Sequence, residues 1–242
     1  MNRAPHLGCA LAAALAACAC SAPGWNEPVH TWGSMHAVMH DGETQGRVRV
    51  ADASAGQHAV GIGALAGLAG EIVILDGDVW TSRVEETTRI ATGEGARPTD
   101  EAALLAVTRV PRWSERVLDR DLSLEELDLA LRRMADEAGL VDVGTFPFVV
   151  RGDLEALDAH VLNGRCPYAG PGSSRTDPVR TSTPRAIGTL VGFYTDLEPG
   201  LITHRGSRTH VHVLIGGDSP FVGHVDGVRI RRGASIRLPL GR

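Results

Sequence analysis

Lysine is missing from this chain of 242 residues, and all 24 basic residues are arginine. Chemistry that needs a lysine amine is therefore excluded: Schiff-base decarboxylases and aldolases, pyridoxal-phosphate enzymes and lysine-bearing phosphate loops. Aromatic residues are scarce at 4%, so the core has to be built mainly from Val, Leu, Ile and Ala. Cysteine is scarce as well, four in all. Cys9 falls in the N-terminal leader, and Cys20 and Cys166 are too far apart in sequence to read as a disulfide framework. Cys166 lies in a loop-like "GRCPYAGPG" and makes a poor candidate nucleophile. A basic footprint is absent too, since the formal charge is −5, which argues against a nucleic-acid partner. What remains is a 43% hydrophobic composition, suited to a folded globular domain.

The N-terminus reads as an export signal. "MNRAPH" carries Arg3, and the apolar stretch Leu7–Ala17 has signal-peptide length but is too short to anchor across a bilayer. It ends in "LAAC" (Leu15–Cys18), which resembles the lipobox of bacterial lipoproteins, where the cysteine is lipidated and becomes the first residue. The expectation is a signal over residues 1–17, lipidation at Cys18, a tether over 18–30 and a folded domain over 31–242. The mature protein is then exported and held on a membrane by its lipid, facing the periplasm or the cell surface.

Along the domain, patterning predicts a short helix over His30–Gly42, a strand in "GRVRVAD", and apolar strand material from His58 to Arg83. That material includes a hairpin turning at Asp76-Gly77. "ALLAVTRV" reads as another strand. Ser123 and Glu126 form a capping-box pattern ahead of Leu124, Leu127, Leu131 and Met134 at helical spacing, with Gly139 as the stop. "FPFVVRG" and "EALDAHVLN" read as two strands separated around Gly152-Asp153. Cys166–Arg185 reads as one long connection, "AIGTLVGFYT" as a buried strand, and the last forty residues as three strands more. The sum is an α+β protein dominated by a large mixed or antiparallel sheet with a few short helices.

The candidate chemistry is concentrated in "THVHVLIGGDSPFVGHV" (Thr209–Val225). His210 and His212 are two apart on a strand pattern and face the same side. A hairpin centred on Asp218 sets His212 opposite His224, with Cβ atoms ~5 Å apart. Three imidazoles then converge as in an open catalytic metal site, which suits Zn, Fe, Ni or Cu alike. A cupin would carry Glu three or four residues after the H-x-H, where Ile215 and Gly216 stand here. A zinc finger would need paired cysteines. His36 and His40, at helical i,i+4 spacing, lack a third ligand nearby in sequence, and Gly61-x-Gly63 is too short a glycine pattern for nucleotide binding. Glu71, a charge opening the apolar run "EIVILDG", reads either as a strand-end surface residue or as a functional carboxylate.

Four blocks together resemble the α-acetolactate decarboxylase family. "GSRTHVHVLIGGDSPFVGHV" resembles its H-x-H … G-G-H segment, and "GTLVGFYTDLEPG" its G-T-x-x-G-F-Y strand. "GIGALAGLAGEIVILDGDVW" resembles its G-x-G-T … L-x-G-E … D-G stretch, and "TWGSMHAVMHDGETQG" its opening helix and turn. The resemblance implies zinc held by His210, His212 and His224, Glu71 as a catalytic carboxylate, and conversion of 2-acetolactate to acetoin and carbon dioxide. It also implies the family's α+β fold, often dimeric. Three departures bear on activity. The threonine of G-x-G-T is Ala64, and the family's active-site arginine aligns with His160, with Arg165 five residues on as an alternative. The family's C-terminal glutamate has no counterpart after "LPLGR". The readings are a decarboxylase of acetolactate, a decarboxylase of a related 2-hydroxy-3-keto acid, or a non-catalytic metal- or small-ligand-binding lipoprotein on the same scaffold.

Overall fold

The computed structural model describes residues 24–86, 88–140, 143–165, 176–197, 200–204 and 206–241. The predicted signal, Cys18 and Cys166 lie outside the described residues.

The two halves of the chain form one sheet each. The first holds β1 (His30–Trp32), β2 (Val48–Arg49), β3 (Ala59–Leu65), β4 (Glu71–Leu75), β5 (Asp78–Glu85), β6 (Arg89–Glu94) and β7 (Glu101–Arg109), with a short helix α1 (Val50–Ala53) after β2. Its order is β1-β7-β3-β4-β5-β6, with β2 also against β7. The second holds β8 (Trp113–Val117), β9 (Leu122–Ser123), β10 (Thr145–Val161), β11 (Val179–Thr195), β12 (Thr209–Ile215), β13 (Phe221–Ile230) and β14 (Ser235–Pro239), with α2 (Leu124–Glu137) following β9. Its order is β8-β14-β10-β11-β12-β13-β9. An added β10–β13 pairing closes β10 to β13 into a ring. Every pairing among the described strands is antiparallel, so the expected mixed or antiparallel sheet resolves into two antiparallel ones.

The sheets pack face to face. Val60, Ile62 and Val73 of the first meet Phe148, Leu190 and Phe193 of the second in the main core, joined by Leu127 and Leu131 of α2. The opposite face of the first sheet buries Ile72, Ile74 and Leu105 against Val50 of α1. Both faces of β4 are thus covered, which is why "IVIL" after Glu71 is continuously apolar rather than alternating. At the start of α2 the capping box forms as expected: Glu126 N donates to Ser123 Oγ and Ser123 N donates to a Glu126 carboxylate oxygen.

Three expectations need correction. The predicted helix over His30–Gly42 is a strand, β1, followed by a single π-helical turn Ala37–Asp41 that ends at a left-handed Gly42. "GRVRVAD" is divided between β2 and α1. The two strands around Gly152-Asp153 are one, β10, and the long connection ends at Pro178 because β11 already begins at Val179. Pro184 made that segment look like loop, since proline cannot donate to a sheet. It is accommodated opposite Ala156, where the β10–β11 register skips a pair and Ala156 takes a positive φ of 47°. The same irregularity interrupts the β10–β13 ladder between Glu155 and Asp158.

Candidate metal centre

The predicted hairpin register is present: His212 pairs directly with His224 across β12 and β13. His210 projects from the same face of β12, and one nitrogen from each ring lies within 4.8 Å of the others. His210 Nε2 stands 3.1 Å from His224 Nδ1 and 3.2 Å from His212 Nε2. All three rings are buried between the two sheets.

Their outward nitrogens are tied down. His210 Nδ1–H donates to Ile202 O (2.7 Å) and His212 Nδ1–H donates to Ile72 O of the opposing sheet (3.0 Å). A carbonyl oxygen can only accept, so both Nδ1 atoms carry the proton and both Nε2 atoms present lone pairs. Two lone pairs facing each other at 3.2 Å repel unless something electrophilic sits between them. Burial pushes His212 down to about 3 and holds His210 and His224 well below the ordinary imidazole range, so the rings stay neutral, the form that binds a cation. The donor set therefore fits a divalent transition metal, with carbonyls as the partners that orient two of the ligands.

Glu71 enters from the other sheet. Gly70 just before it has φ +149° and a Cβ there would lie 2.0 Å from Ser82 O, so the "GE" pair is set by close contact of β4 with β5. The glutamate is 2% exposed. One carboxylate oxygen accepts from Leu162 N (3.2 Å) and the other lies 3.6 Å from His212 Nε2. Burial raises its carboxyl to about 8, despite the Leu162 hydrogen bond that pulls the other way. Of the two readings open in sequence, the surface one is ruled out.

His160, 3% exposed, pairs with His224 across β10 and β13 and its ring centroid lies 4.8 Å away. Its Nδ1 is 2.9 Å from both oxygens of Asp226, which also receives Arg180 Nη1 at 2.8 Å. Glu71, His160, Ala64 and the triad all line one small cavity of about 40 Å³. Arg165 is not among its lining residues, and its guanidinium pairs instead with Asp177 at 2.9 Å. Among the described residues the triad is the one cluster of three or more with metal-binding geometry; the His36 and His40 rings lie 4.8 Å apart, tilted at 45°, and line an outer cleft.

Sequence reasoning missed Asp226 and His204. Asp226 follows His224 by two on β13, so period-two alternation sends it to the same face. His204 stands between the inner cavity and the cleft, its ring centroid 5.7 Å from that of His224. Burial lowers its imidazole below the usual range. Its signal was a fourth histidine just upstream of the H-x-H.

Two face-packed antiparallel sheets with a buried histidine triad and a carboxylate between them define a β-rich class with a candidate metal centre. The chain belongs to the alpha-acetolactate decarboxylase family, whose model matches residues 30–238. Its fold is that of alpha-acetolactate decarboxylase from Bacillus subtilis strain 168, with a TM-score of 0.65, 15% identity, and coverage of 88% of this chain and 86% of that one. A Staphylococcus aureus protein of unknown function, described as similar to alpha-acetolactate decarboxylase, superposes with a TM-score of 0.61 at 15% identity, covering 87% of this chain and 84% of that one. No curated protein sequence matches the chain.

Proposed function

We propose that the protein is a metal-dependent decarboxylase that converts 2-acetolactate, or a related 2-hydroxy-3-keto acid, to the corresponding hydroxyketone (acetoin from acetolactate) and carbon dioxide. The observation that carries this is the pair of facing lone pairs on His210 and His212 beside a buried Glu71. His210, His212 and His224 would hold the ion, with zinc the first expectation. A bound divalent cation supplies Lewis acidity for the keto and hydroxyl oxygens, which lets the ketone accept the electron pair released as carbon dioxide leaves. Glu71 exchanges the proton that the product carbon requires, from a buried position between the sheets. His160, oriented by Asp226, takes the place of the arginine that the family pattern has there and faces the acid's developing charge.

A non-catalytic binding role is the second reading, and Ala64 at the cavity wall and Arg165 turned to Asp177 favour it. Metal-reconstituted protein incubated with racemic acetolactate separates the two. Production of acetoin and carbon dioxide supports catalysis, and full zinc loading without turnover overturns it. Export and lipidation at Cys18 belong to the same proposal; labelled fatty-acid incorporation that persists in Cys18→Ser would refute Cys18 as the lipidated residue, and no incorporation into the native chain would refute the anchor.

A further inference from the structure

An ion on its way to the triad has to come through protein. His210, His212 and His224 are 5%, 1% and 8% exposed, and the cavity they line is only about 40 Å³. Next to it lies the outer cleft, about 420 Å³, and the two share Met35, His204 and His224 as walls. The cleft is therefore a route from solvent to the candidate metal centre. Three further histidines stand along it. His36 and His40 are exposed, and His204 is half-buried. From the His204 ring, the centroids of His224 and His210 are 5.7 and 6.3 Å away. No arginine lines the cleft among the described residues, the chain has no lysine, and Asp226 adds a carboxylate. A cation entering there meets no guanidinium or ammonium on the walls.

The outer pair has the spacing of ligands. The His36 and His40 centroids are 4.8 Å apart, against 4.9, 5.0 and 5.6 Å within the triad. Exposed rings at that separation can each turn one nitrogen to a single ion, and imidazole suits Zn, Ni and Cu. The turn that carries them is fastened at both ends. Met35 N donates to Leu201 O and His36 N to Gly200 O, both at 2.8 Å, and Ala37 N donates to Ser34 Oγ at 3.1 Å. At the far end the left-handed Gly42 donates its N–H to Ala37 O. The backbone under the pair thus has little freedom left to lose on binding.

We propose that His36 and His40 form a second, exchangeable site for a divalent transition ion, its remaining positions open to water, and that an ion held there passes His204 to reach the triad. The passage rests on the reading of the triad as a metal site; the outer pair does not. With two imidazoles instead of three, the outer site is weaker than the triad by about a hundredfold or more, and it empties on desalting. Its contribution is to loading. An ion held in the cleft faces the triad at a roughly millimolar effective concentration even when zinc outside is micromolar.

The test uses metal-free protein and zinc, with calorimetric titration for the sites and stopped-flow mixing for the loading rate. The native chain is expected to show a tight and a weaker class, one ion each. His36→Ala/His40→Ala is expected to lose the weaker class, keep the tight one, and load it at least about tenfold more slowly at micromolar zinc. Because one ion needs both rings, His40→Gln alone should remove the weaker class as fully as the double variant. Both side chains are exposed, so the melting temperature without metal should not move. His212→Ala should lose the tight class and retain the weaker one. Persistence of the weaker class in the double variant, or loading of the triad at the native rate, overturns the proposal. A native chain with the weaker class and no tight one sinks the triad reading, and with it the passage, while leaving the outer pair standing.

Discussion

The three buried histidines and Glu71 pull the stability of the metal-free protein in opposite directions with pH, and Glu71→Gln separates them. Histidines held neutral in the fold but free to protonate when unfolded favour the unfolded state as pH falls below 6.5. One unit below 6.5 each contributes ~1.4 kcal/mol against folding, about 4 kcal/mol for the triad. Glu71 acts the other way: its carboxyl is at about 8 in the fold against 4.5 unfolded, so its contribution is full below 4.5 and is lost as pH rises towards 8. Going down from pH 7.5 to 5.5 it returns about 2.5 kcal/mol. The native chain, stripped of metal, should therefore lose only about 1.5 kcal/mol from these groups over that interval. Glu71→Gln still accepts the Leu162 hydrogen bond through its amide oxygen but does not ionise. It should lose about 4 kcal/mol over the same interval while being the more stable of the two at pH 7.5. Urea denaturation at the two pH values measures both. Every other titrating group is common to the pair, so parallel losses, within about 0.5 kcal/mol, would refute the burial argument for Glu71.

Zinc at a hundredfold excess over its dissociation constant should stabilise the native protein by about 2.7 kcal/mol, and a chelator should reverse the shift in a thermal melt. His212→Ala should abolish that response and leave no stoichiometric zinc by elemental analysis; a variant that keeps full metal would remove the site assignment. His160→Gln should lower kcat about a hundredfold with zinc content intact, and full activity would show that the pair with Asp226 has no part in the reaction. Ser123→Ala deletes half of the capping box and should cost about 1 kcal/mol in urea unfolding, with no change in zinc affinity.

The site was legible in sequence to an unusual degree because its three histidines come from one hairpin. Strand period and turn position alone put His210 and His212 on one face and His224 opposite, and that register is what the fold contains. Local chemistry likewise marked the Asp76-Gly77 turn and the Ser123 cap. The local reading failed where distant contacts override propensity. Pro184 sits inside β11 only because Ala156 on the neighbouring strand is distorted to face it. His30–Trp32 is a strand because β7 offers it an edge, not because of its own pattern.

By itself, then, the sequence determined the facing histidines, the β-dominated class and the absence of any lysine-based chemistry, since each depends on residue identity or on spacing within one hairpin. Only the tertiary structure decided what surrounds them. Glu71 lies far from the triad in sequence and reaches His212 because the two sheets pack face to face, and that same packing removes the water that would keep its carboxyl in the ordinary range. Asp226 behind His160, Arg165 turned to Asp177, and the cleft that His36, His40 and His204 line follow from how chain segments meet in space. Desolvation and proximity are properties of a packed interior, and no periodicity along the chain encodes them.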